Sequence, residues 1–127
     1  ARSETLEKKI LFKNAERCIF LTNGYFEWKR KNSKKFPYYH TFKNDLMFLG
    51  GIFDSTGACI VTRTSYPKLR EIHHRQPIIL NPKDFNKWFS KSHDFECNFS
   101  KKMTIYRVST NVNSPLNNSI DNIVRVN

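Results

Sequence analysis

The sequence lacks the features of membrane-bound, disulfide-linked and zinc-stabilised proteins. No apolar run approaches the roughly 20 residues that a membrane-spanning helix needs, and the polar, charged start indicates no signal peptide. Three cysteines, Cys18, Cys59 and Cys97, are odd in number and have no metal-like spacing. They predict a reducing compartment, no disulfide framework and no metal site. No internal repeat and no glycine-rich phosphate loop is present, and we expect no cofactor. The lack of a long apolar run leads us to expect no membrane partner either.

Acidic residues are also scarce relative to basic ones. The 22 Lys and Arg residues outnumber the 11 Asp and Glu residues, which gives a formal net charge of +11. Aromatic residues make up 14% of the chain, which is typical of a packed domain and not of a disordered tail. The length of 127 residues favours one domain, residues 1–127. The basic excess indicates a polyanionic partner, most often nucleic acid, although a surface made basic for solubility is the alternative.

The pattern of apolar and turn residues predicts an α+β domain made mainly of antiparallel strands. Strands are expected at residues 18–21, 25–28, 36–42, 46–53, 58–64 and 103–108, with a basic loop at 29–35 between two of them. Short helices are expected near residues 3–12, at 67–72 and at 82–89. Asn23 and Gly24 predict a tight turn with positive φ, and the glycines at 50 and 51 indicate a bulge or a close backbone approach. These elements together favour a barrel-like sheet with two or three short helices.

A carboxylate lies among aromatic residues in the strand predicted at 25–28. Because side chains alternate along a strand, Phe26 and Trp28 share one face while Tyr25 and Glu27 share the other. By itself, Glu27 is most simply a strand residue that faces water. It becomes a candidate for chemistry only together with a second group of polar residues.

That second group lies in the connection at residues 72–77. His73 is able to move a proton near neutral pH, and Arg75 is suited to bidentate phosphate recognition. Thr62 stands near the end of a predicted strand that would bring its hydroxyl to the same place. We therefore consider Glu27 and His73 a candidate acid/base pair; a structural or exposed histidine is the alternative.

Four stretches together resemble one protein family. The run CIFLTNGYFEWK at residues 18–29 resembles the signature "RC-apolar-x-x-x-G-aromatic-aromatic-E-W-K" of the SRAP family, the SOS-response-associated peptidase-like proteins. IHHRQPIIL at 72–80 is similar to its "IHxRMPxIL" segment, ARSET at 1–5 to "NARSET", and VSTNVN at 108–113 to "VSxxVN". The four motifs follow the family's order and cover nearly the whole chain.

The resemblance implies a sensor of abasic sites in single-stranded DNA. In the family, the α-amine of an N-terminal cysteine attacks the ring-opened sugar aldehyde, and the thiol then closes a thiazolidine. Carried over by position, Glu27 would orient or deprotonate the amine and His73 would protonate the sugar oxygen. Arg2, Thr62 and Arg75 would hold the phosphates that flank the lesion. Such a protein is expected in the cytoplasm, associated with the nucleoid if the source is bacterial.

The chain departs from the family pattern at its start. The family's cysteine segment and the Asn of "NARSET" precede Ala1, so we expect this chain to correspond to the part that follows the cysteine and to be unable to form a thiazolidine. Its own enzymatic activity and its oligomeric state stay open. His74 and Gln76 also differ from the residues usual at their positions.

Three other functions remain as alternatives. A non-covalent single-stranded DNA-binding module would bind undamaged strands with strong salt dependence and would not need Glu27 or His73. A peptidase, or a protein that removes its own N-terminal residues, would need an oriented nucleophile, and no Ser or Cys motif supports one. A structural interaction module would simply bury Glu27 and His73.

Overall fold

The computed structural model describes residues 1–92 and 98–127. Cys97 lies outside the described residues. Within them the chain forms nine β-strands, two short α-helices and five 3₁₀ turns. The strands are β1 Glu16–Thr22, β2 Gly24–Lys31, β3 Lys34–Thr41, β4 Met47–Asp54, β5 Gly57–Ile60, β6 Thr62–Thr64, β7 Arg75–Pro77, β8 Ile79–Leu80 and β9 Thr104–Arg107. The helices are α1 Pro67–Arg70 and α2 Phe85–Phe89; the 3₁₀ turns are Ser3–Thr5, Ile10–Phe12, Pro82–Asp84, Thr110–Asn113 and Ile120–Ile123.

The strands form three sheets in which every pair of named strands is antiparallel. The first sheet has the order β1-β4-β5, with β8 also paired to β4; the second is β2-β3-β9, and the third is the pair β6-β7. The predicted α+β class with mainly antiparallel strands is confirmed. Among the described residues these sheets do not close into a barrel, because the end strands of the first sheet, β1 and β5, do not pair with each other, and neither do those of the second, β2 and β9.

The link between β1 and β2 corrects the predicted turn at Asn23 and Gly24. Neither residue has a positive φ; the residues with a positive φ lie at other positions of the chain. Gly24 is instead the first residue of β2, and its backbone lies close to β3. A Cβ on Gly24 would overlap the carbonyl oxygen of His40 and lie 2.6 Å from the ring of Tyr39. The glycine therefore allows close packing of β2 on β3, and the chain changes sheets here without forming a hairpin.

The true hairpin turn lies inside the basic stretch 29–35. β2 and β3 pair in register from Gly24 opposite Thr41 to Lys31 opposite Lys34. Asn32 and Ser33 form the turn with φ values of 51° and 67°. Two consecutive positive φ values are the requirement of a type I′ turn, whose twist matches that of the paired strands. The predicted basic loop is thus confined to two residues, and the lysines beside it lie on strands.

The strand predicted at 58–64 is divided at Val61. This residue is fully buried; its N–H donates to the Gly50 carbonyl at 2.9 Å, and its carbonyl accepts from the Ile78 N–H at 2.9 Å. Val61 therefore joins the first sheet to the third, with β5 before it and β6 after it. This division brings β6 beside the residues that follow α1.

Two clusters of buried side chains form the core. One contains Leu6, Ile52, Val61, Ile78, Leu80 and Trp88; the other contains Phe42, Met47, Leu49, Leu69, Ile79 and Met103. Trp88, 2% exposed, lies on the apolar side of α2 as predicted, and its indole N–H donates to the Cys18 carbonyl at 2.9 Å. A Cβ on Gly50 would lie 3.0 Å from this indole. The glycine pair thus marks close packing, and β4 runs without a bulge.

The predicted N-terminal helix is also corrected. Residues 3–12 contain two separate 3₁₀ turns, Ser3–Thr5 and Ile10–Phe12. No side chain caps the first of them. The segment lies against β6 through a parallel bridge between Arg2 and Thr62, so its course is set by this contact and not by helix propensity.

Candidate functional site

Glu27 lies on β2 at a position where the strand faces a groove. It pairs with Tyr38 of β3, and its Oε1 accepts the N–H of Trp28 at 3.1 Å. The side chain is 27% exposed, so the carboxylate is held by the strand yet remains accessible. The alternation predicted from the sequence is what places this carboxylate on the same face as Tyr25.

His73 reaches Glu27 from the segment that follows α1. Its backbone N–H donates to the Leu69 carbonyl at 3.1 Å, which continues the helical turn, and its Nδ1 lies 3.8 Å from Glu27 Oε2. The Arg75 N–H donates to the same Nδ1 at 3.1 Å. The Arg75 carbonyl oxygen lies 3.2 Å from the same Nδ1, so Nδ1 is an acceptor in one neutral tautomer and a donor in the other tautomer and in the imidazolium. The side chain is 35% exposed and its described hydrogen bonds are at Nδ1, so Nε2 is the ring nitrogen available to a ligand.

The groove around this pair has a volume of about 710 Å³. Four cations, Lys29, Arg30, Lys35 and Arg70, and two carboxylates, Glu27 and Glu71, line it together with the two adjacent histidines and Trp28. The His74 ring packs on that of His73 with 4.5 Å between centroids. The surplus of cations favours an anionic ligand.

Arg75 is held by an arrangement that we call the N-terminal clasp, formed by Ala1, Arg2, Glu4, Thr62 and Arg75. The guanidinium binds the Glu4 carboxylate in a bidentate manner, with Nη1 to Oε1 at 2.8 Å and Nη2 to Oε2 at 2.9 Å. It also donates to the Thr62 carbonyl at 2.9 Å. This pairing holds the pKa of the Glu4 carboxyl at about 2, well below its ordinary value.

The remaining contacts of the N-terminal clasp join the start of the chain to β6. The Thr62 N–H donates to the Ala1 carbonyl at 2.7 Å, and Arg2 forms a parallel bridge with Thr62 while its side chain is exposed. Since the Arg75 N–H also bonds to His73, the clasp and the Glu27–His73 pair form one continuous set of contacts.

All five residues singled out in the sequence therefore lie along this set, but Arg75 differs from expectation. Its guanidinium donates to Glu4, Thr62 and Thr64. These contacts occupy the guanidinium, so it is not free to bind a phosphate. Sequence reasoning missed Glu4, which it treated only as a residue of an N-terminal helix. The acidic residue two positions after Arg2 in the ARSET run was the available signal.

A stacked aromatic pair supports the strand that carries Glu27. The rings of Tyr25 and His40, which are directly opposed on β2 and β3, stack with 4.5 Å between centroids. Burial lowers the pKa of His40 to about 4 and raises the pKa of Tyr25, to which the Glu27 charge also contributes. Both side chains are therefore neutral near neutral pH and serve as packing behind the carboxylate.

Two further features concern possible cofactors and membranes. Among residues 1–92 and 98–127, no group of three or more His, Cys, Asp or Glu side chains is arranged to hold a metal ion. No helix in the same part of the chain has the length and apolar character needed to span a membrane.

Comparison with known proteins identifies relatives over nearly the whole chain. The model of the family "SOS response associated peptidase (SRAP)" matches residues 1–115. "Abasic site processing protein YoaM" of Bacillus subtilis is 29% identical over 95% of this chain, and "Abasic site processing protein YoqW" of Bacillus phage SPbeta is 30% identical over 94%. "Abasic site processing protein HMCES" of Xenopus tropicalis is 27% identical over 93%. This chain spans 63% of the length of each of the first two proteins and 47% of the third.

Solved structures agree with these sequence matches. A protein from Bacteroides thetaiotaomicron superposes with a TM-score of 0.80 at 25% identity, over 99% of this chain and 65% of that one. A protein from Bordetella bronchiseptica superposes with a TM-score of 0.74 at 21% identity, over 86% of this chain and 64% of that one, and shows the same fold. With four motifs, a shared fold and a family match that covers residues 1–115, this chain belongs to the SOS response associated peptidase (SRAP) family.

Proposed function

We propose that this chain is the lesion-recognising part of a protein that processes abasic sites in DNA, and that the abasic sugar binds in the groove beside Glu27 and His73. The observation that carries the proposal is the 3.8 Å approach of His73 Nδ1 to Glu27 Oε2 within a groove lined by four cations. The names of relatives, which are called abasic site processing proteins, point to the same lesion.

The proposed chemistry uses the two side chains in complementary roles. An abasic sugar opens to an aldehyde when the bond between C1′ and the ring oxygen breaks, the ring oxygen gains a proton and the C1′ hydroxyl gives up its proton to water. His73, in its protonated form, would supply the proton to the ring oxygen from Nε2. Glu27 would accept a proton from an amine that attacks the aldehyde carbon. Attack of the amine releases water and leaves a C=N bond; addition of a thiol across that bond forms a C–S bond and returns the thiol proton to nitrogen, which gives a thiazolidine.

In this proposal the amine and the thiol come from the N-terminal cysteine that the family resemblance implies. Cys18 is a poor substitute: burial, and to a lesser degree the nearby Cys59 thiol, raises its pKa. A raised pKa disfavours the thiolate that a nucleophile needs. The same argument makes Cys18 unsuited to a peptidase mechanism.

The N-terminal clasp would position this site. Through Arg75 it ties the start of the chain to β6 and, by the Arg75 N–H, to the His73 ring. Arg2 is the clasp cation with an exposed side chain, so we assign phosphate contact to Arg2 and a positioning role to Arg75 and Thr62. We further propose that residues 1–127 act as one domain in a reducing compartment, the cytoplasm, in association with the nucleoid if the source is bacterial.

Single-stranded DNA is the proposed form of the substrate. The groove carries exposed Arg30 and Lys35 from the β2–β3 hairpin and a half-buried Trp28, whose indole N–H donates to Asn113 at 2.6 Å. Cations that follow a backbone beside an aromatic ring are typical of single-strand binding. The same features favour the second candidate, a non-covalent single-strand binder with no use for the Glu27–His73 pair.

The test compares abasic and undamaged single strands of one sequence. Binding is measured by fluorescence anisotropy and covalent product by a denaturing gel, for the wild type, Glu27→Gln and His73→Gln. Matched controls are Glu71→Gln and His74→Gln, because these residues line the same groove and keep the residue type constant. We expect preference for the abasic strand, lost in the first pair of variants and kept in the controls.

Covalent capture, where the gel detects it, should slow by about 100-fold or more in Glu27→Gln and His73→Gln, the range usual for loss of general acid/base assistance. Equal affinity for abasic and undamaged strands, with no effect of either substitution, would instead support the non-covalent binder.

A further inference from the structure

A second basic cavity lies where β1 meets α2 and the N-terminal segment. It has a volume of about 360 Å³, adjoins another cavity of about 380 Å³, and shares no lining residue with the groove of Glu27 and His73. Lys13, Arg17 and Lys91 line both cavities. These cations therefore form a site separate from the one described above.

Arg17 is the buried member of this cluster. Its side chain is 4% exposed, and its guanidinium carbon lies 4.2 Å from the centre of the Trp88 ring. Among the described residues its hydrogen bond goes to Glu7 Oε1, from Nη2 at 3.3 Å. A guanidinium has five N–H donors, so this cation lies in the cavity wall with most of its donors uncommitted.

Burial makes that arrangement unfavourable without an anion. Removal from water lowers the pKa of Arg17, which means that burial penalises its charged form. Glu7 compensates only in part, because its side chain is 53% exposed and a single bond of 3.3 Å is at the long end of the range. Within residues 1–92 and 98–127 the cluster thus has more positive than negative charge around a buried guanidinium.

The two lysines contribute to this excess of positive charge. Lys13 and Lys91 are both exposed, and Lys91 is held after α2 with a φ of 62° and its N–H donating to the Trp88 carbonyl at 3.2 Å. Among the described residues, the 360 Å³ cavity therefore has three cations and one carboxylate, Glu7, in its wall, and the adjoining cavity adds Glu16. Its volume exceeds the roughly 30 Å³ share of a water molecule by an order of magnitude, so a phosphate group fits.

We propose that this cavity binds a phosphate group, with Arg17 as the fork that contacts its oxygens and Lys13 and Lys91 as flanking charges. A planar guanidinium that packs on an indole is pre-organised for bidentate contact with phosphate oxygens. The phosphate belongs either to a diester of a DNA backbone or to a free or terminal phosphate. The site does not depend on the function of the Glu27–His73 pair.

The experiment measures binding of three probes by isothermal titration calorimetry at constant ionic strength set with chloride: inorganic phosphate, the dinucleotide TpT, and TpT with a 5′-phosphate. The variants are Arg17→Lys, which keeps the charge and removes the fork, and the double change Lys13→Gln with Lys91→Gln. Lys8→Gln is the control, because Lys8 is exposed and lines neither cavity.

We expect saturable phosphate binding that weakens about tenfold in the double variant, a ratio equal to ~1.4 kcal/mol, and is unchanged in Lys8→Gln. Binding of plain TpT would assign the site to a backbone diester, whereas binding of the other two probes alone would assign it to a free or terminal phosphate. Lys13 and Lys91 are exposed, so we expect the double variant to fold even if Arg17→Lys does not fold. Absence of binding of all three probes, or equal binding by the wild type and the double variant, would overturn the proposal.

Discussion

Glu4→Gln removes the negative charge from the N-terminal clasp while it preserves the size of the side chain. In the wild type, both carboxylate oxygens accept from Arg75, at 2.8 and 2.9 Å. The amide of Gln is able to accept only one of these bonds and leaves the other guanidinium N–H without an acceptor. Because Arg75 also contacts Thr62 and His73, the change weakens the connection between the start of the chain and the candidate site.

The expected loss follows from the pKa of the carboxyl. A fall from 4.5 to about 2 corresponds to roughly 3 kcal/mol of preferential stabilisation of the folded state, at about 1.4 kcal/mol per pH unit. The Glu4 side chain is 48% exposed, so solvent screening reduces this value. We therefore expect Glu4→Gln to lower the free energy of unfolding by about 1 to 2 kcal/mol near neutral pH. This loss is larger than the contribution of a simple surface ion pair, because the contact is bidentate.

The pH dependence gives the sign of the effect. The pKa of Glu4 is lower in the folded protein than in the unfolded chain, so its contribution is fully present above 4.5 and is lost as the pH falls toward 2. Urea denaturation of the wild type and Glu4→Gln at neutral pH and at pH about 3 should show the difference between them shrink to less than about half. His40, whose pKa is also lowered, is common to both proteins and cancels in this difference.

Glu16→Gln is the matched control, because Glu16 is exposed and has no ion pair among the described contacts. It removes the same charge from the N-terminal part of the chain and should change stability by less than about 0.5 kcal/mol. A Glu4→Gln protein as stable as the wild type at neutral pH, or a loss that is equal at both pH values, would refute the charge-based account of the clasp.

Three further substitutions test the fold. Gly24→Ala should destabilise by about 2 kcal/mol or more, because the new Cβ meets the backbone carbonyl of His40; a urea midpoint within error of the wild type would contradict this. Ser33→Gly should stabilise by about 0.5 kcal/mol in thermal melts, because Ser33 has a φ of 67°, whereas the same change at Ser55, whose φ is not positive, should not. Trp88→Phe should cost about 2 to 3 kcal/mol by chemical denaturation, since it removes ring volume and the bond to the Cys18 carbonyl; a loss under about 1 kcal/mol would show that the core refills the space.

The sequence was informative about features that depend on neighbouring residues. Alternation along residues 25–28 located β2 and placed Glu27 on the face it shares with Tyr25, and the apolar pattern located the other long strands. The motifs identified the family and marked Glu27 and His73 as candidates. The inferences about fold class and family succeeded because strand periodicity and motif spacing are local properties of the chain, whereas the roles of Glu27 and His73 stay predictions.

Local rules failed where a distant contact decided the outcome. Asn23 and Gly24 have the composition of a tight turn, yet Gly24 is extended because β3 packs against it. The run 58–64 reads as one strand, but Val61 bonds to Gly50 and Ile78 and so divides it between two sheets. Sequence patterns carry no information about which distant backbone groups will compete for these bonds.

The sequence alone determined the antiparallel α+β class, the basic character and the family of this protein, because each depends on composition, periodicity or ordered motifs. Only the tertiary structure decided that His73 approaches Glu27 to 3.8 Å and that Glu4 occupies the fork of Arg75. It also decided that Arg17 is buried in a separate basic cavity. Ion pairs and buried charges join residues far apart in the chain, so they exist only once the packing of the sheets has set the distances between them.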